Sequence, residues 1–230
     1  DKPKPQAVLN QPQLECQEAK VAALRCKESG DRIGEGRAYS QLGNAHDCLG
    51  QFQKAIQFHE QHLAIAKETG DRTGEGCAYG NLGNAYFCLG QFQKAIDYHK
   101  QRLAIAKETG DRAGEGLAYG NLGNAYIILG QFQKAIQFHE QDLAIATETG
   151  NRAGEGRAYC NLGVAYKSLG QLDRALETLE QGLVIALETG SRYEEGMLYG
   201  NLRNVHTLLG NTTKAAEFEQ KRIDSATASP

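Results

Sequence analysis

From Asp31 to Gly190 a 40-residue unit is written four times in register, and a degraded fifth copy begins at Ser191. A fixed period of this length confines the chain to stacked supersecondary units, each burying its apolar face against the next. The copies at 71–110 and 111–150 differ at nine of forty positions, so internal comparison separates scaffold from variable surface.

Each copy holds two segments with apolar residues at helical spacing. In the second copy these are Tyr79, Leu82, Tyr86 and Leu89, then Phe92, Ala95, Ile96, His99 and Leu103. Gly90 ends the first segment, and Gly70 followed by Asp71 gives a glycine stop and then an N-cap. The spacing predicts helix A over about 32–49 and helix B over about 52–69, recurring every forty residues. Gly43, Gly83, Gly123 and Gly163 sit on the packing stripe of helix A, where a missing side chain lets another helix approach closely. Ala55, Ala95, Ala135, Ala175 and Ala215 offer a matching small residue on helix B, so the pair reads as a tight antiparallel hairpin.

These residues resemble the tetratricopeptide repeat family. Tyr79, Leu82, Gly83, Tyr86, Gly90, Ala95 and Tyr98 fit its pattern of aromatic, Leu-Gly, Tyr, Gly, Ala and aromatic, over about residues 13–223. The forty-residue length, the NLGNAY phrase and the phrases beginning at His59 and His139 are most similar to LGN/Pins-type arrays. The resemblance implies an all-α solenoid, a right-handed superhelix of antiparallel helix pairs, with ten helices expected. It also implies a cytoplasmic adaptor that grips extended peptide segments in cell polarity or spindle orientation. The carboxy-terminal G-protein-binding motifs of that type are absent here.

The organisation then reads as a tether at 1–12, a half repeat at 13–30, and repeats at 31–70, 71–110, 111–150, 151–190 and 191–226, with a tail at 227–230. The chain starts without Met and with a Pro-containing stretch, which fits a piece of a longer protein. Arg203 replaces the packing glycine in the last copy, as expected of an atypical end repeat.

A net charge of −3 with no Lys/Arg run lacks the footprint needed to hold a phosphate backbone, so no nucleic acid partner is expected. No run approaches the roughly 18 to 20 apolar residues of a membrane span, so no membrane partner is expected either. The six cysteines form no CxxC pair, and Ile128 and Ser168 fill the position of Cys48 and Cys88 in other copies. Small apolar fillers in a reducing cytoplasm are the simplest reading.

On helix A a second stripe lies opposite the packing stripe: Arg37, Ser40, Asn44, Asp47 and Cys48 in the first copy. Its equivalents include Gly80, Asn84 and Phe87; Leu117, Gly120, Asn124, Ile127 and Ile128; Arg157, Cys160 and Val164; and Met197, Gly200 and Asn204. In the resembled family helix A lines the concave groove. The small residues at 40, 80, 120, 160 and 200 are expected to leave its floor open to a partner's backbone. Asn44, Asn84, Asn124 and Asn204 then offer both donor and acceptor at forty-residue spacing, which suits an extended peptide; bonding to neighbouring helices is the competing role. Phe87, Leu117, Ile127 and Ile128 add an apolar centre flanked by Arg37 and Arg157. That set favours a partner with apolar anchors and acidic residues.

His59 and His62 are three apart rather than the four of HExxH, and the GEG phrases are not GxGxxG after a strand. No catalytic residue, metal ligand or cofactor is expected, and the histidines and Tyr39, Tyr79, Tyr119, Tyr159 and Tyr199 are assigned to packing. The reading is a non-enzymatic scaffold for a protein or peptide partner. The alternative is a self-associating structural or sensory arm, a homo-oligomer or regulator of an attached domain.

Overall fold

In the computed structural model, residues 10–227 are described, and all regular structure among them is helical. The described residues form eleven helices: α1 Gln11–Ser29, α2 Arg32–Cys48, α3 Phe52–Thr69, α4 Arg72–Cys88, α5 Phe92–Thr109, α6 Arg112–Ile128, α7 Phe132–Glu148, α8 Arg152–Ser168, α9 Leu172–Thr189, α10 Arg192–Leu208 and α11 Thr212–Thr227. One helix of the half repeat and five pairs make eleven, one more than the expected ten; in the degraded fifth copy Leu198, Leu202 and Val205 still bury α10, and α11 follows it. The first helix begins at Gln11 on an Asn10 capping box with Pro12 in its first turn, two residues ahead of the expected half repeat. The rest of the expected tether, 1–9, lies outside the described residues, as do 228–230 of the expected tail. Two compact units divide the chain, one to Gly110 and one from Asp111.

Boundaries follow from short chemical signals. Asp31, Asp71, Asp111 and Asn151 each accept a bond from the backbone N–H three residues on, at 2.8–3.0 Å, relieving one of the open donors of a helix start. At the other end Gly70 closes α3 at φ 70°, a left-handed conformation that costs any larger residue energy. A staple that the apolar pattern does not reveal joins the two ends of each of the first four pairs. Arg32 bridges Glu35 and Glu68, and Arg72, Arg112 and Arg152 repeat this with Glu75 and Glu108, Glu115 and Glu148, Glu155 and Glu188. The nearer glutamate is buried in every case, so the arginine compensates a carboxylate that packing has taken out of water.

The pairs close on aromatic rings. Phe138 of α7 lies between Tyr119 (centroids 6.1 Å) and Tyr126 (5.3 Å, 1° between planes), two residues one heptad apart on α6. Tyr98 sits likewise between Tyr79 and Tyr86, and Phe58 between Tyr39 and His46. In the fourth copy Thr178 stands at the ring position, and Tyr166 is instead covered by Arg174 at 5.1 Å.

The packing glycines have a partner other than the expected alanine. Ala55, Ala95, Ala135 and Ala175 are buried as expected and Ala215 is half-buried, but the space left by Gly43, Gly83 and Gly123 is filled by the rings of His59, His99 and His139, each within 1% of full burial. Leu179 fills it at Gly163, and in the last pair Arg203 and Glu219 replace the glycine–ring contact by an ion pair of 2.8 Å. A Cβ on Gly123 would lie 2.4 Å from His139 Cε1. Gly123→Ala is therefore expected to destabilise by about 1–3 kcal/mol, outweighing the gain of about 1 kcal/mol in helix propensity. In a double-mutant cycle by urea unfolding, Gly123→Ala with His139→Ala should cost clearly less than the sum of the singles. Additive losses would mean that the ring does not set the limit.

Candidate functional site

Helix A positions the variable stripe, and the structure distributes it unevenly. In the first unit Arg37 is exposed on α2. Asn44 is exposed too, but its Oδ1 accepts a bond from Asn81 Nδ2 at 3.2 Å, so this amide ties α2 to α4. Asp47 accepts from the His59 ring at 3.0 Å. Asn84 is exposed on α4, and Phe87 packs edge-on against Phe92 of α5 at 5.3 Å, which turns it to the end of its own helix pair. In the second unit Asn204 is held by the guanidinium of the adjacent Arg203 at 2.8 Å. Ile127 is half-buried.

The groove floor is not open at Gly80 and Gly120. Both glycines are buried: a Cβ on Gly80 would lie 2.6 Å from Arg102 Nη1, and one on Gly120 would lie 2.8 Å from Asp142 Oδ2. Close packing does not leave a void beside long side chains, so helix B of the same pair fills what helix A leaves. Arg102 also donates to the Gly76 carbonyl at 3.3 Å. Cys160 is buried as well and receives Asn201 Nδ2 on its sulfur.

Three of the expected site residues do converge, all in the second unit. A cavity of about 240 Å³ is lined by Asn124 of α6, by Gly156, Arg157, Cys160 and Asn161 of α8, and by Tyr193, Glu194 and Met197 of α10. A second, of about 140 Å³, includes Leu117, Asp142, Asn151 and Arg157. Arg157 lines both. Each cavity also carries a carboxyl that helix A periodicity does not predict. Burial pushes Asp142 up to about 6, with Arg157 opposing. Glu194 Oε2 is buried near Gly156, where a Cβ would come within 3.3 Å of it, and it has no hydrogen-bond partner. Its charge is felt across the cavity at Cys160, whose thiol is pushed up to about 11 chiefly by burial and further by Glu194. Two carboxyls thus share one guanidinium in this region. The sequence signal for Glu194 was its identity: the other four copies have Gly34, Gly74, Gly114 and Gly154 at that place.

Comparison with known proteins agrees with this architecture. The tetratricopeptide repeat model matches residues 34–108, 74–148 and 114–188, and the chain belongs to that family. Repeats of this family generally mediate protein–protein interactions and are typically non-enzymatic. Among solved structures, BtubC from P. vanneervenii is 20% identical, with 96% of this chain and 95% of that one covered at a TM-score of 0.82. The nearly identical TPR-like repeats of a putative kinesin light chain from Podosopora anserina are 26% identical, covering 83% and 94% at 0.69. A signal transduction ATPase with a tetratricopeptide repeat sensor, from Pyrococcus horikoshii, is 21% identical and covers 95% of this chain but 36% of its own, at 0.78. No curated protein matches the chain. Among the described residues no helix is long and apolar enough to cross a membrane.

Proposed function

We propose that the chain is a cytoplasmic, non-enzymatic adaptor that holds an extended segment of a partner protein against its A helices. The observation that carries this is the pair of cavities meeting at Arg157. They draw residues from α6, α7, α8 and α10, and one of them holds a carboxylate oxygen, Glu194 Oε2, that internal packing leaves without a hydrogen-bond partner. Leu117, Asn124 and Arg157 line these cavities and are the proposed contacts, with Met197 as an apolar wall. Ile127 and Asn204 are further proposed contacts in the second unit and Arg37, Asn44, Asn84 and Phe87 in the first, with Asn44 and Asn204 giving part of their capacity to internal bonds. The resemblance to LGN/Pins-type arrays supports a role in polarity or spindle orientation.

The test is selection of random peptides displayed on phage against the purified chain, then calorimetric titration of the tightest peptide. Asn84→Ala with Asn124→Ala should lower affinity by roughly two to four powers of ten, because each lost buried bond costs about 1–3 kcal/mol. The melting temperature should move little. Selection that enriches no peptide, or full affinity in the double mutant, counts against the amides as contacts. The sensor arm of the Pyrococcus horikoshii protein favours a second reading, in which the chain regulates an attached domain or self-associates. Sedimentation showing concentration-dependent oligomers without peptide binding would support that reading instead.

A further inference from the structure

We propose that the cavity formed by α6, α8 and α10 is a receptor for one arginine side chain of the partner segment, with Glu194 as its anion; this rests on the peptide-binding reading above. The volume, about 240 Å³, falls below the roughly 300–1,000 Å³ of drug-sized ligand sites and suits one long side chain. One acceptor in its lining is left without a donor. Glu194 Oε2 is out of water with nothing bonded to it, and Glu194 forms no ion pair among the described residues. Leaving a buried acceptor unmet costs free energy, which an entering donor recovers.

The rest of the lining sorts the candidates. Asn124 and Asn161 bring carbonyl oxygens that accept further N–H groups, while Tyr193 and Met197 offer an aromatic face and a soft thioether along the entrance. Tyr193 is 78% exposed, so its ring is accessible to a guanidinium. A planar group with five donors can meet a carboxylate and two amides together, whereas an ammonium presents three donors at one point. A side chain without a donor would leave Glu194 as it is, and a neutral donor would meet its hydrogen bond but not its charge. Arg157 lines the same cavity, but it also faces Asp142 in the adjoining one, and an entering guanidinium displaces it toward that carboxyl. The repeat sequence points to the same place: Glu194 stands where four copies have glycine, and Gly156 beside it supplies the room.

The experiment takes peptides selected on the wild-type chain and measures each against wild type, Glu194→Gln and Glu194→Gly, the last restoring the residue of the other copies. One arginine should be common to the selected peptides. Glu194→Gln should weaken them about 10- to 100-fold without changing the melting temperature. Replacing the arginine by citrulline, its neutral isostere, should cost wild type about as much and cost Glu194→Gln little, so the two changes are coupled. Replacement by lysine should cost at least about fivefold. Selected peptides without arginine, equal affinity of wild type and Glu194→Gln, or additive effects of Glu194→Gln and citrulline would each overturn the arginine receptor while leaving the groove intact. Failure to select any peptide would overturn both readings together.

Discussion

Acidification from pH 7.5 to 4.5 should destabilise the helix pairs α4–α5 and α6–α7 by about 2–3 kcal/mol each through one histidine apiece. His99 and His139 are held down to about 4, His99 by burial with Arg102 adding to it and His139 by burial alone. The unfolded chain keeps the ordinary value near 6.5 and binds the protons first. Stability is thus intact above pH 6.5 and falls as pH drops toward 4, by about 5 kcal/mol for the two rings at pH 4.5. His46, His62 and His206 are also lowered by burial and act in the same direction. Glu68 and Glu148 are kept below the usual carboxylate range by Arg32 and Arg112, so they add to the acid loss only at the lower end of this window.

Asp142 works in the opposite sense. Its folded value of about 6 lies above the ordinary 3.8, so its penalty is present above pH 6 and is relieved as pH falls, giving back about 2 kcal/mol by pH 4.5. Two variants separate these effects. His139→Leu copies Leu179 of the next repeat and should remove about half of the histidine contribution; Asp142→Asn should steepen the acid loss. Urea unfolding with hydrogen exchange resolved by helix, at pH 7.5 and 4.5, measures both. A pH profile unchanged by His139→Leu would remove the buried ring as the cause.

How far the sequence reaches depends on whether a feature repeats. The helix pairs, the Asp N-caps and the glycine stops recur every forty residues and were legible from spacing alone. The Arg–Glu staple also recurs, at separations of 3 and 36, but charge at a helix end leaves no mark on an apolar pattern. The glycine–histidine contact was visible only in part, because a ring on helix B reaches over helix A by an amount that spacing does not give. The groove floor was misread for the same reason: Arg102 and Asp142 are variable residues of helix B, and their length closes a gap inferred from helix A. Glu194 was legible as a broken repeat, yet its significance comes from Gly156, one layer away. Stripe positions on a single helix therefore locate a surface, while its charge is set by neighbours.

Tyr119→Ala should be the most damaging single truncation in the second unit, at about 3–5 kcal/mol. Tyr119 is 9% exposed and sits against Phe138, itself stacked on Tyr126, so removal of the phenol leaves that ring uncovered on one side. Both layers of the α6–α7 pair lose contacts, and nearest-neighbour coupling carries the loss to α8, which packs on α7. Tyr119→Phe keeps the ring and should retain most of the stability. Fourth-copy residues give a natural comparison, since Tyr159 faces no ring at Thr178 and its truncation should cost less. Hydrogen exchange at pH 7.5 is the measurement: amides of α6, α7 and α8 should exchange faster in Tyr119→Ala, with the increase largest in α6 and α7. If the increase appeared only in α11, the aromatic layer would not be what holds this unit together.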